Sequence, residues 1–561
     1  MNIGVFLGLN RRWRDENDAD EGIAFFVLAY VVLASAGCGG GDSEEQGISG
    51  PAPNPYLSAP LYGTTHFDPA QSDSTPYGPP KGSFSLDPVR QPISYGGPVN
   101  IITLASTSPR FMWGVGSDRV AYINAAEKQW AEVARLDAPA YLSPDMGPVA
   151  PGAHKTIGEM SFEGKTSRDI HQVFVTNYGA KYNARLANGV YSAVDKDNVL
   201  YATYGYGVYA FALKDAANPA AGIEVRHSIA DAADAIQGAG ARAVLYGLNM
   251  TYDGHIILNF ENGVSVLNRT LDAASAQTIL FPGEHTSNSL AVDEKGGIYV
   301  VTNKRMHKLV WTGSRLSDAE ADGAWSSPYD APEDAVPPIV KFEPGSGSTP
   351  TLMGFGKDAD RLVVITDGSR RMNLVAFWRD EIPQDFVQQD GTQSRRIAGQ
   401  IPVTCGYSQL PTWIQSEQSV VVSGYGAFVV NNLPLESDTM ARLPKILGAA
   451  TLGPVYPSSL GVERFRWDPK EHRWASVWRR SDVSSTSMIP VHCRNGNMAL
   501  VSGYGAQGWE LTGMDWDTGA TVHRTIFGKS NYGNGAYAIL QFLPNGDLLF
   551  NSLVGPYRVS Y

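Results

Sequence analysis

Residues 488–527 constrain the fold more than any other part of the chain, because they contain four short strands in succession. Runs of apolar and β-branched residues cover 488–493, 498–502, 509–516 and 521–527. Asn-Gly and Asp-Thr-Gly turns and a glycine-rich loop separate them, which is typical of an antiparallel meander. A small sheet that is apolar on both faces needs a neighbour on each side, so the stretch predicts one blade of a β-propeller.

The same pattern of an inner strand, a polar turn and a second strand recurs from residue 100 onward. Eight copies are found, at 111–123, 190–207, 246–263, 289–303, 352–368, 413–426, 489–505 and 538–555. The sequence therefore predicts an all-β fold, a β-propeller of four-stranded antiparallel blades. Eight blades are expected, with seven as the alternative, and separate β-sandwiches are the alternative fold.

The last copy ends after only three strands. Closing the ring would remove exposed sheet edges. A strand near residues 64–67 or 83–86 is therefore expected to complete the last blade.

Composition supports a strand-rich globular body and argues against nucleic-acid binding. The chain has 59 Gly, 35 Pro, 26 Tyr and 12 Trp, which favours turns and strands over helices. Its net charge is −12, whereas a nucleic-acid surface needs clustered positive charge. Cys405 and Cys493 are expected on opposite faces, so no disulfide scaffold and no cysteine metal site is predicted.

The amino terminus reads as an export signal followed by a tether. Three arginines precede an apolar run at 23–36, which is too short for a membrane span and fits a signal peptide over 1–37. The small residues before Cys38 resemble the lipobox of bacterial lipoproteins, which implies lipidation of this thiol and an outer-membrane lipoprotein facing the periplasm or the cell surface. An uncleaved anchor or a plain secretory signal is the alternative. Residues 38–98 are rich in Gly, Pro and Ser and predict a flexible tether before a propeller domain over 99–561.

One face of the predicted propeller is rich in Tyr, Asn and Gly. It carries the loops between second and third strands and the links from blade to blade, and the insertions at 137–188 and 428–459 are expected to project to it. We call it the loop-rich face and the other one the opposite face. The expected ligand-binding residues of the loop-rich face are Tyr204, Tyr206, Asn288, Asn303, Arg305, Arg371, Tyr425 and Tyr504. His285 is a candidate general base and Asp367 a candidate catalytic carboxylate.

Familiar catalytic motifs do not extend this list. The Gly-x-Gly-x-x-Gly match at 503–508 leads into a predicted strand, whereas a dinucleotide site needs a helix there. Neither a His-Glu-x-x-His motif nor a Gly-x-Ser-x-Gly elbow occurs in the sequence.

Two propeller families share local sequence with this chain. Residues 513–522, with an Asp-x-x-Thr-Gly-type turn, resemble the repeat of quinoprotein-like propellers. Residues 287–300 resemble the repeat of the SMP-30/gluconolactonase and strictosidine-synthase-like propellers. The second resemblance implies a divalent cation such as Ca²⁺ at the axial channel, with Asn288 as one ligand. The equivalent starts of neighbouring copies carry Val190, Tyr246 and Thr351.

Two functions follow as expectations. The first is an exported, lipid-anchored propeller that binds a small organic molecule at the axial mouth of its loop-rich face, as a hydrolase or lactonase in its enzymatic version. The second is a non-catalytic scaffold of the quinoprotein-like kind, which would hold an envelope protein at the outer membrane.

Overall fold

The computed structural model of the protein describes residues 50–58, 61–88, 106–108, 110–125, 130–138, 149, 152–186, 189–236, 244–341 and 343–561. The chain divides into two units, Met1–Gln46 and Gly47–Tyr561. The predicted signal peptide and Cys38 lie outside the described residues. Within those residues, no helix is both long and apolar enough to cross a membrane.

Strands dominate the described part of the chain, in eight sheets numbered here in chain order. Two short strands precede the first sheet: β1 (Ser74–Thr75) and β2 (Gly82–Ser85). Sheet 1 contains β3 (Phe111–Val115), β4 (Arg119–Asn124) and β5 (Ala131–Asp137). Sheet 2 contains β6 (Ser192–Val194), β7 (Leu200–Tyr204), β8 (Gly207–Leu213) and β9 (Ile223–Ile229). Sheet 3 contains β10 (Leu245–Met250), β11 (Ile256–Phe260), β12 (Gly263–Leu267) and β13 (Gln277–Leu280).

The following sheets repeat this antiparallel order. Sheet 4 contains β14 (Ala291–Val292), β15 (Gly297–Val301), β16 (Arg305–Trp311), β17 (Leu316–Ser317) and β18 (Trp325–Pro328), with both β17 and β18 on β16. Sheet 5 contains β19 (Thr351–Met353), β20 (Leu362–Thr366), β21 (Asn373–Trp378) and β22 (Ile397–Pro402). Sheet 6 contains β23 (Val421–Ser423), β24 (Gly426–Val430), β25 (Leu460–Asp468) and β26 (Arg473–Ser484).

Sheets 7 and 8 complete the series. Sheet 7 contains β27 (Val491–Cys493), β28 (Met498–Gly505), β29 (Gly508–Asp515) and β30 (Thr521–Gly528), flanked by β1 and β2. Sheet 8 contains β31 (Gln541–Phe542), β32 (Leu548–Ser552) and β33 (Gly555–Val559). The helices are α1 (Ala153–Glu159), α2 (Ser167–Tyr178), α3 (Tyr182–Leu186), α4 (Ala232–Ala235) and α5 (Lys445–Thr451).

The core lies between neighbouring sheets, as in a propeller. Separate hydrophobic clusters join sheets 1 and 2, 2 and 3, 3 and 4, 4 and 5, 5 and 6, and 6 and 7. A larger cluster joins sheets 7, 8 and 1, and residues of α1, α2 and α5 also belong to it. The all-β propeller fold with four-stranded antiparallel blades is confirmed. The described residues form eight sheets, and the number of blades in the whole chain stays a prediction.

Sheet 7 matches the four strands expected from residues 488–527 within a few residues. Asn497 and Gly519 adopt positive φ values of 46° and 74°, so the two turns use the residue types that tolerate this conformation. Sheet 6 differs from its prediction. The expected inner strand near residue 413 is a loop, and β23 is the inner strand, so the loop at 424–425 joins the first and second strands.

Both insertions contain helices. Helices α1, α2 and α3 lie in the first insertion, between sheets 1 and 2, and α5 lies in the second, between β24 and β25. A capping box formed by Thr166 and Asp169 starts α2. In the second insertion, a 3-10 turn at Ser437–Thr439 precedes α5, which begins at Lys445.

Residues 62–75 run along the inner strands of the sheets, and we call them the axial segment. Its backbone oxygens accept hydrogen bonds from Val292 N in sheet 4, Leu352 N in sheet 5, Val422 N in sheet 6 and His492 N in sheet 7, at 2.7–3.0 Å. Thr65 N donates to Ser192 O in sheet 2, and Tyr62 Oη donates to Phe542 O in sheet 8. The segment therefore binds inner strands of at least six sheets.

These contacts correct two expectations. Residues 50–58 and 61–88 fall within the predicted flexible tether, yet most side chains of the axial segment are buried against the body. Strand β2 pairs with β30 of sheet 7 rather than completing sheet 8, and β1 pairs with β27. The Gly and Pro residues that suggested a flexible tether instead allow the tight turns of a packed segment.

Candidate functional site

Side chains from five separate places converge where the inner strands begin on the loop-rich face. Tyr191 precedes β6, Asn288 precedes β14, Glu417 precedes β23 and Tyr537 precedes β31, while Lys445 is the first residue of α5. The axial segment meets the same inner strands further along, for example at Val292, four residues after Asn288. We call this convergence the axial site.

An ion pair between Glu417 and Lys445 is the centre of the axial site. Lys445 Nζ lies 2.5 Å from Glu417 Oε1, and the Glu417 side chain is only 4% exposed. Oε2 of Glu417 is buried and has no hydrogen-bond partner among the described residues. A Cβ at Gly347 would lie 2.6 Å from this oxygen, so glycine is needed there. The carboxylate thus offers one unused acceptor.

Lys341 adds a second buried amine. Its Nζ donates to Gly345 O, and the residue is 4% exposed. Burial lowers the pKa of Lys341 to about 8, and the charge of Lys445 acts in the same direction. The carboxylates of Glu417 and Asp367 oppose this shift, which places both near the amine.

Two tyrosines face the same carboxylate. Burial, and then the negative charge of Glu417, raises the phenol pKa of Tyr191 and of Tyr537. A hydrogen bond with the backbone of Ser289, just before β14, partly offsets this rise for Tyr191. Lys445 Nζ lies 6.0 Å from the Tyr537 ring centroid, at the limit of a cation–π contact. The phenols therefore stay protonated and can donate hydrogen bonds.

Asn288 lies at the axial site, as predicted, but its environment does not suit a divalent cation. Its Nδ2 donates to Gly347 O at 2.6 Å, and its own carbonyl accepts from Asn259 Nδ2 at 2.6 Å. Two lysines share the site with the single carboxylate of Glu417, whereas Ca²⁺ requires several oxygen ligands. Within the described residues, no group of three or more His, Cys, Asp or Glu side chains could hold a metal ion.

The structure gives the two candidate catalytic residues different partners. Asp367 is buried and accepts from Ser369 N, Asn373 N and Asn373 Nδ2, so it holds the loop between β20 and β21. Burial raises the pKa of Asp367 to about 6. His285 is half exposed, with Nδ1 3.8 Å from Glu261 Oε1. The two side chains are not brought together as an acid–base pair, and their catalytic roles stay predictions.

The other predicted ligand residues of the loop-rich face are dispersed around the rim. Tyr204 is buried and donates to Gly116 O, whereas Tyr206 is exposed. Asn303 Oδ1 accepts from His285 N, Arg305 Nε donates to Ser326 Oγ, and Arg371 Nε donates to Pro411 O. Each of these hydrogen bonds is local, so these residues do not form a shared site.

Tyr425 was expected on the loop-rich face, and this expectation is wrong. Its hydroxyl contacts Asp360, which lies in the loop between β19 and β20 on the opposite face. The cause is the altered strand order in sheet 6, where the loop containing Tyr425 joins the first and second strands. Loops after successive strands of a blade lie on alternate faces of the ring, so a strand order shifted by one strand places the loop on the other face.

Tyr504 lies at a groove between sheets 6 and 7, which we call the rim groove. The groove has a volume of about 770 Å³, and its polar lining includes Glu163, Arg480, Asp482, Glu510 and Arg524. Tyr504 Oη donates to Glu163 Oε1 at 2.8 Å. Arg480 pairs with Asp482, and Arg524 pairs with Glu510, so the charges of the groove are largely satisfied internally.

The sequence analysis missed most residues of the axial site. Tyr191, Lys341, Glu417, Lys445 and Tyr537 were not singled out. One signal was available for Glu417, since it stands in a polar run immediately before the apolar strand β23. Nothing in the local sequence places Lys445 beside it, because α5 reaches the axis from an insertion.

Comparison with known proteins adds little about activity. No family model matches the chain. An uncharacterised protein of Archaeoglobus fulgidus is 34% identical over 329 residues, which cover 56% of this chain and 60% of that protein. The chain thus spans less than two thirds of that relative.

Several solved structures are similar at low identity. A europium-containing methanol dehydrogenase is 10% identical, covering 86% of this chain and 87% of that one, with a TM-score of 0.45. The quinohemoprotein alcohol dehydrogenase of Comamonas testosteroni is 10% identical, covering 87% and 76%, with a TM-score of 0.44. A protein of unknown function from Desulfotomaculum acetoxidans is 11% identical, covering 62% and 86%, with a TM-score of 0.32. At these scores the similarities assign neither an activity nor a ligand to this chain.

Proposed function

We propose that this protein is an exported, lipid-anchored β-propeller that binds a small polar organic molecule at its axial site. The observation that carries the proposal is the unpaired, buried Oε2 of Glu417, beside an ion pair and two protonated phenols. Leaving a buried carboxylate oxygen without a donor is costly, and a bound hydroxyl or amino group would supply one. Rigid concave sites with a few converging polar groups are typical of ligand binding.

The proposal concerns binding, without a metal-dependent hydrolysis step. The positive charge of the lysines beside Glu417 gives a divalent cation a poor environment. The axial segment lies further along the inner strands, so a ligand would enter from the loop-rich face.

A panel of small hydroxylated and amino compounds, screened by thermal shift, tests the proposal. A compound that raises the melting temperature of the wild type should bind Glu417→Gln about tenfold or more weakly, since a hydrogen bond to a charged group contributes roughly 1.5–3 kcal/mol. Glu436→Gln is the matched control, because Glu436 is an exposed glutamate in the same insertion as Lys445. If the wild type, Glu417→Gln and Glu436→Gln bound the compound equally well, binding at the axial site would be refuted.

The rim groove favours the scaffold as a second candidate function. It is lined by sheets 6 and 7 and by the insertion, and it exposes Leu435 beside polar side chains. Mixed surfaces of this kind suit a partner protein. Crosslinking in the native envelope from a photoreactive residue at position 435 would capture such a partner, and a protein that yields only self-crosslinks would argue against this candidate.

A further inference from the structure

Five cationic side chains cluster on the opposite face, between sheets 4 and 5, far from the loops of the axial site. We call them the basic cluster: Lys295, Lys308, Arg361, Arg379 and Arg396. They come from the loop between β14 and β15, from β16, from the start of β20 and from the segment between β21 and β22. Different elements of two sheets therefore direct positive charge to one place.

Arg379 is the buried member of the basic cluster. The residue is 2% exposed, and its Nη2 donates to Gly354 O at 2.6 Å. Its Nε and Nη1 are buried without a hydrogen-bond partner among the described residues. The guanidinium lies 5.0 Å from the Phe355 ring centroid, a contact that attracts the cation but accepts no N–H hydrogen bond of ordinary strength. Two buried, charged donors are thus left unused, which is costly in a protein interior.

Three carboxylates beside the basic cluster are already engaged by other groups. Asp380 lies 3.1 Å from Lys308 Nζ, 3.4 Å from Arg361 Nη1 and 3.9 Å from Lys295 Nζ. Asp293 accepts from Tyr299 Oη and from backbone N–H groups of its own turn. Glu320 acts on Arg396 only through its charge. With these carboxylates engaged elsewhere, Nε and Nη1 of Arg379 still have no partner among the described residues.

The side chains of the basic cluster range from exposed to buried. The Lys295 side chain is 61% exposed and that of Arg361 27%, whereas that of Lys308 is 9% exposed. Arg396 is partly buried beside them, where its Nη1 donates to Trp378 O at 3.2 Å and its guanidinium lies 5.0 Å from the Trp325 ring centroid. An anion from solvent would therefore meet the exposed cations before the buried one.

From the unused donors of Arg379 and the surrounding charge, we infer that the basic cluster is a binding site for a small oxyanion, of the phosphate or carboxylate type. Planar guanidinium groups and lysine ammonium groups are the usual partners of such oxygens in proteins. The site is independent of the axial site, which lies on the other face and contains its own carboxylate.

Inorganic phosphate is the probe that tests this inference. Thermal unfolding is followed across a phosphate titration at constant ionic strength, held with sodium chloride. The wild type should show a saturable rise in melting temperature. Arg361→Gln should require about tenfold more phosphate for the same rise, since it removes a charged donor at the entrance. Arg379→Met should lose the rise, and Arg361→Gln keeps the test valid if Arg379→Met does not fold.

Two controls locate the effect. Arg473→Gln removes an exposed arginine of β26 in sheet 6, and Lys445→Gln removes a cation of the axial site. Both proteins should keep the wild-type phosphate response. A wild type without a saturable response would overturn the inference. So would an equal response from Arg361→Gln and Arg473→Gln, or a response lost in Lys445→Gln.

Discussion

At the scale of single residues, the buried charges of the axial site make stability depend on pH in a definite direction. Lys341 has a folded-state pKa of about 8, against 10.5 for an ordinary lysine. Between these values the unfolded chain binds more protons than the folded one. The contribution of Lys341 to stability is therefore lowest below about pH 8 and rises as the pH increases toward 10.5.

The prediction uses Lys341→Met as the reference. The stability of the wild type relative to Lys341→Met should rise by on the order of 2 kcal/mol between pH 8 and pH 10. Urea unfolding of both proteins at several pH values measures this difference, and tyrosine ionisation is common to both. Lys304→Met, which changes an exposed lysine of the same face, should show no such trend. A constant difference between wild type and Lys341→Met would contradict the prediction.

At the scale of elements, the axial segment is packed against the body, although its composition predicts a flexible tether. Five of its non-glycine residues have positive φ: Tyr62, His66, Phe67, Gln71 and Asp73. Such conformations cost of order 1–2 kcal/mol each and persist only where surrounding contacts enforce them. The hydrogen bonds to successive inner strands and the buried hydrogen bond between His66 Nδ1 and Asp73 at 2.9 Å supply that enforcement.

Asp73→Asn tests whether the axial segment is part of the folded body. Asp73 accepts a buried hydrogen bond from His66 Nδ1. A buried polar group that loses its partner costs roughly 1–3 kcal/mol, so the variant should unfold at clearly lower urea concentration in a single transition. Asp385→Asn, an exposed aspartate in the loop before β22, should unfold like the wild type. If Asp73→Asn were also unchanged, the segment would behave as the flexible tether expected from its composition.

At the scale of the whole molecule, the closure of the ring and the proposed lipid anchor depend on different parts of the chain. The ring closes through the hydrophobic cluster that joins sheets 7, 8 and 1, and residues 61–88 contribute no strand to sheet 8. Most side chains of the axial segment are buried against the body, so the proposed flexible linkage to a membrane would precede it in the chain.

Lipidation at Cys38 is the corresponding prediction, and Cys38 lies outside the described residues. Cys38→Ala should move the protein from the membrane fraction to the soluble fraction, because acyl chains anchor with about 0.8 kcal/mol for each buried CH₂ group. The melting temperature of the released protein should match that of the solubilised wild type. Full-length Cys38→Ala protein that stays with membranes would show that residues 23–36 form an uncleaved anchor.

The sequence by itself determined the blades, because strand period and turn chemistry are local properties. Alternation and a Gly-rich loop predicted strands at 498–502 and 509–516, and β28 and β29 lie there but extend further into the predicted loop. The prediction for sheet 6 was wrong because the polar run before β23 resembles a turn between two strands.

Only the tertiary structure decided which side chains meet at the axis and on the opposite face. Glu417 and Lys445 come from a blade link and an insertion, and Lys308 and Arg361 come from different sheets. Their proximity depends on how sheets pack around the ring, which short-range patterns do not encode. The axial segment shows the same limit, since its Gly- and Pro-rich sequence describes its tight turns but not the inner strands to which it binds.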